Sequence, residues 1–170
     1  MITVLVVGEC TREVITDICM TSRAFGASKV AFTCGEDRKV AGAMRKVSKE
    51  WGGKFSIMFN ADYKEMLNGS PNYKTVFLTQ YGIPVEKAKH SIRTYKNMMV
   101  VVALSDSYTK KLIDAADFNI SITSQPHSST SAVAVFLHTY FNGRENAMQF
   151  ENAMTKVLPS EHGIRVQKRK

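Results

Sequence analysis

Hydroxyls, an amide and an imidazole crowd into one short stretch of the chain, Thr123-Ser124-Gln125-Pro126-His127-Ser128-Ser129. The β-branched run Asn119-Ile120-Ser121-Ile122 leads into it, and the apolar segment Ala132-Val133-Ala134-Val135-Phe136-Leu137 follows closely enough to open a helix. A strand that feeds a polar loop and then a buried helix aims backbone N–H groups and small side chains at one point outside the sheet. In open α/β sheets, ligands sit there, at the carboxyl ends of the strands. Two more strand ends carry similar groups, Leu78-Thr79-Gln80-Tyr81-Gly82 and Leu104-Ser105-Asp106-Ser107-Tyr108. Convergence of the three loops would make a pocket lined mostly by backbone and suited to an adenosine-like ligand. Ordinary βα turns are also rich in Gly, Ser and Asp, so composition alone leaves both readings open.

Two arginines bracket the first helical stretch. Arg12 lies in its first turn, where the helix dipole disfavours a cation, and such a misfit suits a phosphate-facing residue as well as an ordinary exposed one. Arg23 stands near the other end, where the dipole favours it, so a structural and a functional role weigh about equally. Of the four histidines (His90, His127, His138, His162), none shows metal-ligand spacing, and no metal is expected. His138 reads as a helix-face residue. His127 is the exception by position, and an imidazole there is chemically able to take up or release a proton.

Several chemistries are excluded. Gly8-Glu9-Cys10-Thr11 follows the first strand where a dinucleotide-binding fold needs GxGxxG, and there is no GxxxxGK[ST], GxSxG or HExxH. The three cysteines (Cys10, Cys19, Cys34) are odd in number and form no CxxC pair, which argues against a disulfide or zinc framework and for a reducing cytoplasm. No apolar run reaches membrane-span length; the longest, Met98 to Leu104, is strand length. The formal charge of +8 is the compositional clue to a partner. Lys and Arg are spread along the helical stretches and close the chain as Lys168-Arg169-Lys170, a surface that attracts polyanions.

The elements that must position these groups alternate almost from end to end. Strands are expected at Thr3–Val7, Lys29–Thr33, Phe55–Phe59, Thr75–Leu78, Met98–Leu104 and Phe118–Ile122. Helical segments lie between them: one capped by Thr11 and stopped at Gly26, one through Val40, Met44 and Val47 to Trp51-Gly52-Gly53, and one from Pro84 to Tyr95. This βα rhythm predicts one α/β domain, residues 1–170, with a parallel sheet covered by helices on both faces. Residues 151–170 leave the rhythm as a short C-terminal β-hairpin, Ala153–Leu158 against Ile164–Val166, and a basic tail.

With these residues in view, the chain resembles the archaeal tRNA (cytidine-56) 2′-O-ribose methyltransferases of the SPOUT superfamily. Four segments in register carry the likeness: Met20-Thr21-Ser22-Arg23-Ala24-Phe25-Gly26-Ala27, Trp51-Gly52-Gly53, Leu78-Thr79-Gln80-Tyr81-Gly82, and Asn119 to Leu137 with Gln125-Pro126-His127-Ser128 at its heart. The resemblance implies a C-terminal trefoil knot, a homodimer packed through the knotted face, tRNA as substrate and S-adenosyl-L-methionine as cofactor. Carried over by position, the cofactor pocket would be Leu78, then Leu104, Ser105, Asp106, Ser107 and Tyr108, then Ile122, Thr123, Ser124, Gln125, Pro126, His127, Ser128 and Ser129. Arg12, Arg23 and His127 are the candidate catalytic residues. Leu104 stands where the family has glycine, adding bulk where the cofactor is expected, and this motivates an alternative: a catalytically silent homologue that binds tRNA. An unrelated βα protein binding a small phosphorylated ligand is the remaining alternative.

Overall fold

The computed structural model describes residues 1–69 and 72–169, so Lys170 of the expected basic tail lies outside it. Strands β1 (Ile2–Val7), β2 (Lys29–Phe32), β3 (Ser56–Met58), β4 (Lys74–Pro84), β5 (Met98–Ala103) and β6 (Phe118–Ser121) form one sheet in the order β3-β2-β1-β5-β4-β6. Every neighbouring pair is parallel. Helices α1 (Arg12–Ala24), α2 (Arg38–Trp51), α3 (Tyr63–Asn68), α4 (Val85–Ile92), α5 (Thr109–Ala115) and α6 (Ser129–Phe141) connect or follow the strands.

The central strands are buried on both faces, which is why they read as continuous apolar runs. Val4, Val6, Val100 and Val102 face one core with Ile15 and Ile18 of α1, Met44 of α2, Ile92 of α4 and Phe136 of α6. The alternate residues Leu5, Val7, Met99 and Val101 face a smaller core with Leu112 of α5 and partly buried Met66 and Leu67 of α3. Several helix starts have a local cause. Thr11 caps α1 by accepting from the Val14 N–H, and Asp37 caps α2 by accepting from Lys39 and Val40. Caps of this kind contribute about 1 kcal/mol each. The short α3, capped by Asp62, was not expected, because six residues are too few to display a helical period.

Three differences from expectation have physical reasons. First, β4 continues to Pro84 rather than stopping at Leu78. It pairs with β6 at Leu78–Ile120, bulges over residues 79–82, and pairs again at Ile83–Ile120 and Pro84–Ser121. Second, the C-terminal ribbon β7 (Thr155–Val157) and β8 (Val166–Lys168) is antiparallel, but its return strand begins two residues later than predicted. Ile164 is 94% exposed, so no buried face dictates the register. Third, Cys10 and Cys34 form a disulfide with their Cα atoms 6.0 Å apart, which corrects the expectation of none. They follow the adjacent parallel strands β1 and β2, and only the pairing brings them together. Cys19 is free and buried.

The C-terminal segment returns to the first half of the fold. Met154 N–H donates to the Glu50 carbonyl and Gly53 N–H to the Glu151 carbonyl, at 2.9 and 2.8 Å. Thr155 hydroxyl bonds to the Glu50 carboxylate. Among the described residues, no helix is long and apolar enough to cross a membrane.

Candidate functional site

The bulge of β4, the end of β5 and the start of α6 enclose a cavity of about 210 Å3. Leu78, Val102, Ala103 and Ala132 give it an apolar floor, and Thr79, Gln80, Ser105, Asp106, His127 and Ser129 give it polar groups. Three crossing stretches position these residues. The bulge after Leu78 carries residues 79–81 across β6, and it can do so because position 82 is glycine. A Cβ there would lie 2.5 Å from the Asn119 carbonyl and the Ile120 nitrogen. After β5, Ser105 caps a single 3-10 turn over Asp106–Tyr108; its hydroxyl accepts from Ser107 N–H at 3.3 Å and lies 2.9 Å from the Ser107 hydroxyl. After β6, the loop reaches α6 through Ser128, whose hydroxyl accepts from the Ser131 N–H at 3.1 Å.

Of the residues expected to hold a cofactor, Leu78, Ser105, Asp106, Pro126, His127 and Ser129 line this one cavity. The others stand behind or beside it. Tyr108 packs edge-on against Tyr63 of α3, with centroids 5.9 Å apart, on the opposite face of the sheet. Ile122 is half-buried against the larger core. Thr123 bonds back to Gln125 N–H through its hydroxyl, forming a local turn that Ser124 shares. Ser107 and Ser128 serve as turn and cap. Leu104 is the instructive departure: its side chain joins the larger core and sits beside Gly8, where a Cβ would come within 3.2 Å of the Leu104 Cβ. A bare residue at 8 makes room for a bulky one at 104, and the cavity is not filled.

The residues that sequence reasoning left out of the pocket are Phe77, Thr79, Gln80, Tyr81, Val102, Ala103, Thr109 and Ala132. Thr79 to Tyr81 belong to a strand end already singled out. Thr109 and Ala132 begin or nearly begin α5 and α6, the place where a βα unit presents its first turn to a ligand.

The two arginines lie apart from the cavity. Arg12 is about half exposed and pairs with Asp37 at 2.7 Å, tying the start of α1 to the start of α2. That bond, followed by the Val40 N–H, holds the Asp37 carboxyl below its usual range. Arg23 is buried. It donates through Nη2 to the Gly52 carbonyl at 2.5 Å, and its guanidinium lies 4.9 Å from the centre of the Phe150 ring. Burial pulls its pKa down from the ordinary value, and a guanidinium stays charged through such shifts. In this chain Arg23 clamps α1 to the end of α2 and to the C-terminal segment. Asp106, by contrast, is exposed and has no ion-pair partner among the described residues. His127 is exposed, with Nδ1 3.2 Å from the Ser128 carbonyl. His138 pairs with buried Glu145 at the end of α6.

The fold is similar to that of SpoU-type RNA methyltransferases. The chain matches the SpoU methyltransferase AviRb from Streptomyces viridochromogenes, solved in complex with AdoMet, with a TM-score of 0.61 and 12% identity, covering 85% of this chain and 60% of that longer one. A putative RNA methyltransferase from Bacillus anthracis gives a TM-score of 0.65 at 12% identity, covering 89% of this chain and 98% of that one. Identity this low speaks for the fold alone. The sequence goes further: residues 51–167 match the tRNA ribose 2′-O-methyltransferase family, aTrm56, and the chain belongs to that family. It is 35% identical to the tRNA (cytidine(56)-2′-O)-methyltransferase of Methanobrevibacter smithii, across 94% of this chain and 89% of that protein. Its identity to the enzyme of the same name from Thermococcus kodakarensis is 34%, across 98% and 96% of the two chains.

Proposed function

We propose that this protein methylates the ribose 2′-hydroxyl of cytidine 56 in tRNA, using S-adenosyl-L-methionine held in the cavity between the ends of β4 and β5 and the start of α6. One observation carries the reading: in a chain of this family, three loops far apart in sequence meet around a single cavity whose groups suit that ligand. Leu78, Val102 and Ala132 offer a flat apolar seat for a base, and the Thr79 and Ser105 hydroxyls suit a ribose diol. A carboxylate without a cation partner, Asp106, suits a cationic ligand.

The bound cofactor supplies a methyl group on a sulfonium, an already activated leaving group. The protein's task is then to align the sugar, exclude water and handle one proton. His127 is suited to the proton. With Nδ1 donating to the Ser128 carbonyl, Nε2 keeps its lone pair and can accept from the 2′-hydroxyl. Arg12, held by Asp37 yet half exposed, is suited to a phosphate of the RNA. The other loop residues, Thr123, Ser124, Gln125 and Ser128, act by shaping the turn that presents Pro126 and His127.

The same reading includes a trefoil knot, with α6 threaded beneath the β4–α4 connection. Two features support it: α6 leaves the sheet edge at β6 yet packs against both α1 and α4, and residues 79–84 cross over β6 at Gly82. A homodimer is supported by exposed Met20 on α1 and Val135 on α6, apolar residues on two helices that pack together. A tRNA substrate implies work in the cytoplasm. The test is an unmodified tRNA transcript incubated with the protein and labelled S-adenosylmethionine, followed by mass mapping. A methyl on the ribose of nucleotide 56, absent from His127→Ala reactions, is expected. Methylation of a base, or of a ribose outside the T-loop, refutes the assignment.

A further inference from the structure

A second cavity, of about 350 Å3, lies between α2 and the β3 segment at the end of the sheet and has no part in the chemistry above. Its walls include Phe55, Ile57 and Phe59 from the β3 segment and Met44, Arg45 and Ser48 from α2; Glu36, just before α2, also lines it and is paired with Arg38. We propose that it receives one unstacked nucleotide of the RNA, the base against the aromatic wall and the flanking phosphates on the cations of α2. This deepens the tRNA reading and rests on it.

Three observations point the same way. Phe59 is stacked on Phe32, with centroids 5.6 Å apart and planes 17° from parallel, so the wall is held in place rather than collapsed into the space. On α2, Arg45, Lys46 and Lys49 have no ion-pair partner among the described residues. The helix's one carboxylate, Glu50, is engaged by Thr155. The third is position: β3 ends the sheet, so its outer edge faces no other strand. Aromatic rings beside a line of cations are how single-stranded nucleic acid is held, the rings taking base faces and the cations tracking the backbone. RNA is the occupant that matches both features at once, its base faces stacking on the rings while its regularly spaced phosphates meet the cations. β3 is three strands from β5 and four from β4, so across the sheet the two cavities are separated by roughly 14–19 Å at the usual strand spacing. One folded RNA can reach both.

The experiment measures binding of unmodified tRNA across a salt series for the full-length protein and for Arg45→Glu, Phe55→Leu and Lys64→Glu, with S-adenosylmethionine affinity measured alongside as a check of folding. Lys64 lies on α3, across the sheet from α2. Arg45→Glu should weaken tRNA binding about tenfold and flatten the salt slope. Phe55→Leu, which leaves charge alone, should weaken it about tenfold with the slope unchanged. Lys64→Glu should behave as the parent. In addition, tRNA carrying 5-iodouridine should crosslink to the peptide containing Phe55 and Phe59. Parent-like binding by Phe55→Leu, or crosslinks confined to other peptides, overturns the proposal while normal methylation leaves the assigned activity standing. A parent protein that binds no tRNA overturns both.

Discussion

Replacing Gly82 by alanine tests the crossing on which the methyl-transfer cavity depends. The added carbon would lie 2.5 Å from the carbonyl carbon and oxygen of Asn119 and from the nitrogen of Ile120. Carbon atoms prefer about 3.5–4.0 Å, so the two segments must part by about 1 Å. Neither can swing aside as a side chain would, because both are backbone, paired at Leu78–Ile120 on one side of the bulge and Ile83–Ile120 on the other. Overpacking of this kind costs about 1–3 kcal/mol, and a backbone obstacle argues for the upper end. For a protein of this size, about 3 kcal/mol lowers the melting temperature by about 6–12 °C. The displaced residues, Thr79 to Tyr81, line the cavity, so the cofactor should lose affinity as well. Thermal unfolding with and without S-adenosylmethionine reads both effects, since saturation at 100 times Kd adds about 2.7 kcal/mol to the parent protein. A variant that melts with the parent and gains as much from the ligand would show that the crossing is slack and that the cavity does not depend on it.

Other perturbations have expected signs. The Cys10–Cys34 bond spans 24 residues, and loop-entropy reasoning assigns it about 3 kcal/mol, so reduction or Cys34→Ser should lower the melting temperature by several degrees; equal melting in both redox states refutes it. After mild reduction, thiol labelling should reach Cys10 before Cys19, whose buried thiol is pushed up to about 12. Asp37 has a folded pKa below its unfolded value of about 4, so its stabilisation is present above that value and is lost as pH falls through the depressed one. Asp37→Asn should therefore be less stable near neutrality and show a shallower acid limb; parallel stability–pH curves contradict this. Gly42 lies inside α2, with only the Arg45 guanidinium within 4 Å of a built Cβ. Gly42→Ala should stabilise by about 0.5–1 kcal/mol, and a lower denaturant midpoint would count against an unstrained helix there.

The parts legible in the sequence were those governed by local pattern. The apolar runs of β1 and β5, the Thr11 cap and the strand-end loops holding Leu78, Ser105 and His127 all follow from period, capping and turn chemistry. What escaped depends on contacts between distant segments. Arg23 looks like any helix-end cation until Gly52 and Phe150 arrive from elsewhere. Leu104 looks like an obstruction until Gly8, just past the neighbouring strand β1, is seen to leave space for it. Cys10 and Cys34 look unrelated because their nearness is a property of strand order, and β3's exposed edge is visible only once that order is known.

The segment after α6 binds back to Glu50 and Gly53, and through Phe150 it lies on the Arg23 guanidinium. Residues from the far end of the described chain thus complete the junction of two helices near its beginning. A nascent chain halted before residue 150 would present α2 without its terminal fastenings and Arg23 without its aromatic cover. The basic face of α2 reaches its finished form only once this segment has joined it, so a product truncated before residue 150 should be a poor competitor for RNA.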